Sequence, residues 1–419
     1  MKKRLLTVLL VFVLAASMIL PLSGCTQSGA ADLMTEVQPQ QLAAAAVPDA
    51  QNAAVTGFAV RLLQNSASES ASDSVLISPL SMLAALSMTA NGAEGETLAQ
   101  MEAVLGLPVD TLNSCMHAYQ AGLPDESTCK VHLANSIWFT DHSRFTAEQD
   151  FLQTNADYFG AGIYQAPFDD RTCREINNWV ADNTDGMIRN ILDEIPDSAV
   201  MYLINALSFD AEWQNIYTKN QISSGTFTTE DGTQRSVEMM HSSEFLYLED
   251  EQASGFVKHY AGGRYAFAAL LPDEGVRAAD YVAGLSGERL HALLAAPQEK
   301  EVIVSLPVFE SEYSADMCTV LTDMGMTDIF DQELADLSGL GHSEAGNIYI
   351  SRVLHKTYIS VNEKGTRAGA ATVVEASDGA AAVVEEPKRI VLDRPFVYMI
   401  VDCENGFPLF IGTMMDTGR

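Results

Sequence analysis

The sequence predicts an α+β fold, and three observations carry that reading. Helix-spaced apolar patterns come first and strand-like runs dominate later, unlike the regular alternation that builds parallel βαβ units. Hydrophobic residues make up 47% of the chain, enough for an ample core, and no internal repeat breaks the order. Apolar residues recur at helical spacing near residues 51–65, 79–90, 109–122, 147–158, 172–192, 277–295 and 315–326. Apolar or alternating runs mark strands near 131–140, 201–209, 235–248, 255–262, 265–272, 301–310, 348–362, 389–393, 396–403 and 408–414. The exception is Lys364 to Pro387, more than twenty residues without regular pattern inside an otherwise compact domain. Loops of that length are usually functional or disordered.

The amino terminus reads as an address. Met1 to Arg4 is a short basic head, Leu5 to Leu20 an apolar run, and Leu22-Ser23-Gly24 sets small residues before Cys25. The run could be a signal anchor, but the LSGC box resembles a bacterial lipoprotein signal. That implies a signal peptide over 1–24, acylation of Cys25, a lipidated tether over 25–50 and one folded domain over 51–419, held outside the cytoplasmic membrane, or in the extracellular space if shed. The tether is rich in Ala and Gln with little periodicity.

The chain carries 24 Lys+Arg against 56 Asp+Glu, a net charge of −32. Removing Lys2, Lys3 and Arg4 with the leader leaves 21 basic residues and a balance of −35. Such a surface repels phosphate backbones, so nucleic acid is not an expected partner. Five cysteines remain after Cys25, an odd number at wide spacing: Cys115, Cys129, Cys173, Cys318 and Cys403. That is neither a disulfide framework nor a zinc site, although Cys115 and Cys129 could pair across a turn. There is no H-E-x-x-H, no phosphate loop and no ligand-spaced cluster, so no metal, cofactor or catalytic residue is expected. The nearest hydrolase signal, Gly341-His342-Ser343-Glu344-Ala345, has Ala where a nucleophile elbow needs its second glycine, and it lies in a polar, Gly-rich connection.

The most telling stretch is VNEKGTRAGAATVV, Val361 to Val374. At the two-residue period of a strand, Thr366, Ala368, Ala370, Thr372, Val374 and Ala376 share one face, and Arg367, Gly369, Ala371, Val373 and Glu375 the other. Both charges fall on one side, which suggests a strand held in reserve with one side that can be buried. A flexible alanine-rich linker is the alternative reading of composition alone.

The segment follows NIYISRVLHKTYISVNEKG and precedes LDRPFVYMIVDCENGFPLFIGT. Together with SPLSMLAALSM (Ser78 to Met88), LANSIWF (Leu133 to Phe139), INNWVADNTDGMI (Ile176 to Ile188) and YLINALSFDAEW (Tyr202 to Trp213), this pattern resembles the serpin family from about Asn52 to Thr413. The resemblance implies three β-sheets, eight or nine helices and an exposed reactive-centre loop over about 364–387. It implies a monomer that inhibits serine proteases without being an enzyme. The protease cleaves the loop, whose proximal half then inserts as an extra strand of the main sheet and drags the acyl-linked protease along.

Carried onto this chain, the hinge is Glu363, Gly365, Thr366, Ala368, Ala370 and Thr372, small and uncharged on the face to be buried. Ser78, Ser81, Asn205 and His355 match the polar cluster under the central strands, with Asn205 and His355 expected to hydrogen-bond, and Trp213 and Glu363 match the upper opening region. The lysine that commonly pairs with this glutamate is replaced by Val308. Pro108 to Gly122, the region of the helix some serpins use for polyanions, has no Lys or Arg, so no heparin-like activator is expected. Counting forward from Glu363 places the reactive bond between Gly379 and Ala380; counting back from Pro395 places it between Val384 and Glu385. Both registers offer small or aliphatic residues, with no Lys or Arg between Ala368 and Pro387. Elastase-like or subtilisin-like proteases are therefore the expected targets. Asp378 leaves open an acid-preferring protease, and a non-inhibitory binding protein on the same scaffold is the competing class.

Overall fold

The computed structural model describes residues 29–42, 47–69, 73–141, 145–196, 199–344, 346–366 and 386–418. Among them are nine helices: α1 (Asp49–Glu69), α2 (Pro79–Ala90), α3 (Gly95–Leu105), α4 (Val109–Gln120), α5 (Gln149–Phe159), α6 (Asp170–Asp182), α7 (Ala278–Gly284), α8 (Gly287–Ala295) and α9 (Cys318–Asp323). The strands of the first half are β1 (Ala31–Asp32), β2 (Val75–Ile77), β3 (Asp125–Glu126), β4 (Cys129–Thr140), β5 (Thr146–Ala147), β6 (Gly162–Ala166) and β7 (Met201–Glu212). Those of the second are β8 (Ile222–Thr228), β9 (Gln234–Glu249), β10 (Ala253–His259), β11 (Tyr265–Pro272), β12 (Gln298–Pro307), β13 (Phe309–Asp316), β14 (Gly341–His342), β15 (Arg352–Val361), β16 (Gly365–Thr366), β17 (Lys388–Val391), β18 (Phe396–Asp402) and β19 (Phe407–Met414).

They form three sheets. The main sheet runs β1-β6-β4-β7-β16-β15-β13, the second β17-β12-β9-β10-β11-β18-β19-β2, and β14 pairs with β5. Helix α2 explains how the two large sheets share a core. Every residue from Pro79 to Ala90 is buried, and the Ser87 and Thr89 hydroxyls donate to the carbonyls four residues back, so no polar group is stranded. Ser78 caps it and Pro79 occupies its first turn, where a missing N–H costs nothing. On the other face of the main sheet, Ile176 and Val180 of α6 cover Trp138, Tyr202, Ile204 and Leu354.

Several boundaries differ from expectation for local reasons. The helix expected over 172–192 ends at Asp182, where Asp185 (φ 49°) and Gly186 (φ 70°) turn the chain left-handed. The one expected over 277–295 is two, because Ser286 caps a new helix by accepting from the Arg289 N–H. The strand expected over 301–310 breaks at Val308, and Phe309–Asp316 turns away to become the edge of the main sheet. Helix α3 and strands β6 and β8 were not legible as periodic segments.

The expected tether is partly bound. Ala31 and Asp32 pair with Gln165 and Tyr164 at the edge of the main sheet, and the Leu33 N–H donates to the Ile163 carbonyl at 2.8 Å. The Gly29 N–H donates to Glu175 of α6 and the Gln40 N–H to Asp157 of α5, while Leu33, Met34 and Val37 pack on the core.

Candidate functional site: the opening in the main sheet

Strands β7 and β15 run parallel but pair directly over three residues only, Tyr202–Ile204 with Arg352–Leu354. At their far ends β16 lies between them, with Gly365 opposite Glu212 and Thr366 opposite both Ala211 and Val361. Between these points, no described residue pairs across the gap from Asn205–Asp210 to His355–Ser360.

The start of the expected hinge is built for close approach. A Cβ on Gly365 would sit 2.0 Å from the Ala211 carbonyl oxygen and 2.8 Å from the Glu212 Cα, so only glycine lets the chain enter there. Thr366 is buried, and its hydroxyl shares a hydrogen bond with the Tyr260 hydroxyl. The preceding turn is tied down: the Asn362 N–H donates to the Gly365 carbonyl at 3.0 Å, the Trp213 N–H to Lys364 O at 2.8 Å, and the Tyr217 N–H to Glu363 O at 3.0 Å.

Trp213 organises this end. Its ring stacks on Tyr260 at 4.5 Å with planes 7° apart, and its indole N–H donates to the Asn362 carbonyl at 2.8 Å. Lys258, 2% exposed, lies 4.5 Å from the Tyr217 ring centre and 5.4 Å from that of Trp213, and is neutralised by Glu244 at 2.8 Å. Glu363 forms no ion pair with a described residue, and Val308 stands where the family's lysine is expected. Sequence reasoning missed Lys258 and Tyr260; the signal was one cation inside the apolar run Phe256-Val257-Lys258-His259-Tyr260.

The polar cluster sits where the two strands begin to part. The Ser78 N–H donates to His355 Nε2 at 3.1 Å, the Ser78 hydroxyl to the Leu409 carbonyl at 2.9 Å, and the Ser81 N–H to Ser78 Oγ at 3.4 Å. The expected Asn205–His355 hydrogen bond is absent. Asn205 instead donates to Asn135 Oδ1 on β4, because β15 has already diverged from β7 at that level. Asn135 was missed too, as a lone Asn in a strand carries no distinguishing sequence signal. Burial pulls the His355 pKa down to about 4, so the ring is neutral near pH 7. Because Nε2 accepts, the proton belongs on Nδ1. That Nδ1 and Asn205 Oδ1 are both buried without a partner among the described residues, a donor and an acceptor on facing strands.

The loop residues Arg367, Ala368, Ala370, Thr372, Gly379, Ala380, Val384 and Glu385 lie outside the described residues, as does Cys25. Cys115, Cys129, Cys173, Cys318 and Cys403 are free thiols, so the open Cys115–Cys129 pairing is not made. Burial pushes the Cys115 and Cys129 pKa values up to about 11, which makes both poor nucleophiles. His342 lies on the two-stranded sheet with its exposed Nε2 2.9 Å from a Glu148 carboxylate oxygen, not on a strand–turn–helix elbow, which removes the hydrolase reading of that motif.

Comparison with known proteins agrees with this architecture. The family profile described as Serpin (serine protease inhibitor) matches residues 53–417. An uncharacterized serpin-like protein of Thermococcus kodakarensis is 32% identical over 353 residues, covering 82% of this chain and 81% of its own. The leukocyte elastase inhibitor of Equus caballus is 29% identical over 378 residues, covering 85% and 97%. The crystal structure of the thermophilic serpin tengpin in its native state superposes with a TM-score of 0.87 at 43% identity, covering 92% of this chain and 99% of that one. With a matching profile over nearly the whole folded body, this chain belongs to the serpin family, whose members are generally protease inhibitors.

Proposed function

We propose that the protein is a suicide-substrate inhibitor of serine proteases, anchored by an acylated Cys25 outside the cytoplasmic membrane and directed at elastase-like or subtilisin-like enzymes. The observation that carries the reading is β16: the first two residues of the reserve strand already occupy the space between β7 and β15. Cleavage of the loop frees the remainder to follow. Continuing the same antiparallel register, each further residue steps one position along both flanking strands, so Thr372 comes opposite Asn205 on β7 and His355 on β15. Its hydroxyl can donate to Asn205 Oδ1 and accept from the His355 Nδ1–H, two buried atoms that lack partners among the described residues. Thr366, Ala368 and Ala370 precede it on the same face, all small enough to pass into the gap.

About six inward side chains and about ten ladder hydrogen bonds release on the order of 10–20 kcal/mol. That is comparable with the whole stability of a target protease, about 5–15 kcal/mol, so it suffices to distort an acyl-linked active site. Opening the sheet costs little at this end, because three direct β7–β15 pairs remain to be separated. The absent Glu363–lysine pair removes one further restraint. Small or aliphatic residues at either candidate bond, Gly379–Ala380 or Val384–Glu385, suit a small apolar specificity pocket.

Mixing the protein with elastase-like, subtilisin-like and trypsin-like proteases tests the reading. Complexes that survive denaturing gels are expected with the first two, together with a released carboxy-terminal peptide whose mass gives the bond. Clean cleavage without complex by all three would leave only a binding role for the scaffold.

A further inference from the structure

We infer that the anchored molecule stands on the bilayer by the pole opposite its reactive loop, with the bait held outward. This rests on the proposed acylation of Cys25. At Gly29, the first described residue, the N–H is held at 2.8 Å by Glu175 in the first turns of α6. Ala31 and Asp32 then pair with Gln165 and Tyr164 of β6. Strand β6 flanks the last residues of β4, Ser136 to Thr140, and Phe139 of β4 faces Met201, the first residue of β7. The hinge lies at the other end of β7, opposite Ala211 and Glu212. Eleven residue steps of strand separate Met201 from Glu212, about 36 Å.

Only Thr26, Gln27 and Ser28 stand between Cys25 and Gly29. Four residue steps reach at most about 14 Å, so the acyl chains cannot lie far from the α6–β6 pole. A tether free from Cys25 to Ala50 would have set no such limit and left every face equally able to meet the membrane. The bound strap converts a loose leash into a short stalk. A body of 21 basic and 56 acidic residues is repelled by anionic headgroups over a screening length of about 8 Å, which holds it off the surface beyond its stalk.

Strand insertion, as proposed above, would carry the protease from the outer pole toward the membrane-facing one. A folded protease does not fit within a reach of about 14 Å, so trapping requires the strap to peel from β6. Peeling back to Asp49 lengthens the stalk to 24 steps, about 80 Å, and gives that room.

The test uses the lipidated full-length chain with Cys318→Ser and Cys403→Ser, labelled with a donor dye at Arg174→Cys on α6 or at Arg389→Cys on β17. Both positions are exposed. In phosphatidylethanolamine–phosphatidylglycerol vesicles containing an acceptor-labelled lipid, energy transfer is expected to be several-fold stronger from position 174 than from 389. A twenty-residue Gly/Ser insertion between Ser28 and Gly29 should abolish the difference, and complex formation with a protease should lower transfer at 174. Equal or reversed transfer, insensitivity to the insertion, or protein that does not float with the vesicles overturns the inference. Gel-stable complexes scored on the same vesicles keep the readings separate: their absence removes the inhibitory function and leaves the measured orientation standing.

Discussion

Thr366→Arg perturbs the proposed hinge at an enclosed position. Thr366 is 1% exposed, bonded to Tyr260 and flanked by Ala211 and Val361. Among the described residues no carboxylate at this site is placed to receive an arginine: Glu363, which forms no ion pair with a described residue, sits on the turn with its backbone held by Tyr217. A buried cation without a partner costs several kcal/mol, and the native fold avoids that cost by letting β16 slip out into solvent. Insertion cannot avoid it, because Thr366 must enter the sheet first. If about 3–4 kcal/mol of that cost appears in the barrier to insertion, insertion slows by roughly 150- to 900-fold, at 1.36 kcal/mol per decade. Hydrolysis of the acyl intermediate then wins the race. The assay is the stoichiometry of inhibition, with gels to separate complex from cleaved inhibitor. The variant is expected to be cleaved at a near-normal rate with almost no complex. A stoichiometry unchanged from the parent chain would refute the reasoning.

Thr372→Val keeps the volume but leaves Asn205 and His355 unsatisfied in the inserted form; the cleaved protein is expected to lose about 1–3 kcal/mol while the intact one is unchanged, which paired denaturant titrations resolve. Gly365→Ala drives a Cβ into the Ala211 carbonyl, so the Trp213 amide, bonded to Lys364 O, should exchange faster with deuterium. His355 is held neutral with a pKa of about 4 against 6.5 in the open chain. Its contribution is full above pH 6.5 and is lost as pH falls through 4, at about 1.4 kcal/mol per unit and about 3 kcal/mol in all; unfolding midpoints between pH 7 and 4 should show that slope, and His355→Gln should lack it. Cys25→Ser is expected to move the protein from the membrane fraction to the medium, and retention in the membrane would exclude the lipid.

The strand character of Gly365 and Thr366 was legible because strand physics writes itself locally. A segment that must bury one face has to segregate its charges by parity, and Thr366 and Arg367 already obey that rule as text. Gly365 could be flagged as a permissive residue, but the reason it is needed is the carbonyl of Ala211, some 150 positions earlier in the chain. Asn205 and His355 could be assigned to one cluster. Whether they bond to each other depends on where β7 and β15 part, and that divergence is set by β16 wedged between them. Lys258 looked like a strand residue among others until Glu244, Tyr217 and Trp213 converged on it.

The amino-terminal strap shows the same division. Residues 29–40 have almost no periodicity, since the two residues that pair as β1 and the three that pack are too few to print a pattern. By itself the sequence determined the fold class, the order of its parts, the acidic balance and the small, parity-sorted residues after Gly365, because composition and side-chain period act over a few residues. Only the tertiary structure decided that Gly365 and Thr366 lie between β7 and β15, which polar atoms are left unpartnered beside them and where residues 29–40 are tied. Each of these depends on distances between strands that are far apart in sequence, and such distances leave no local trace.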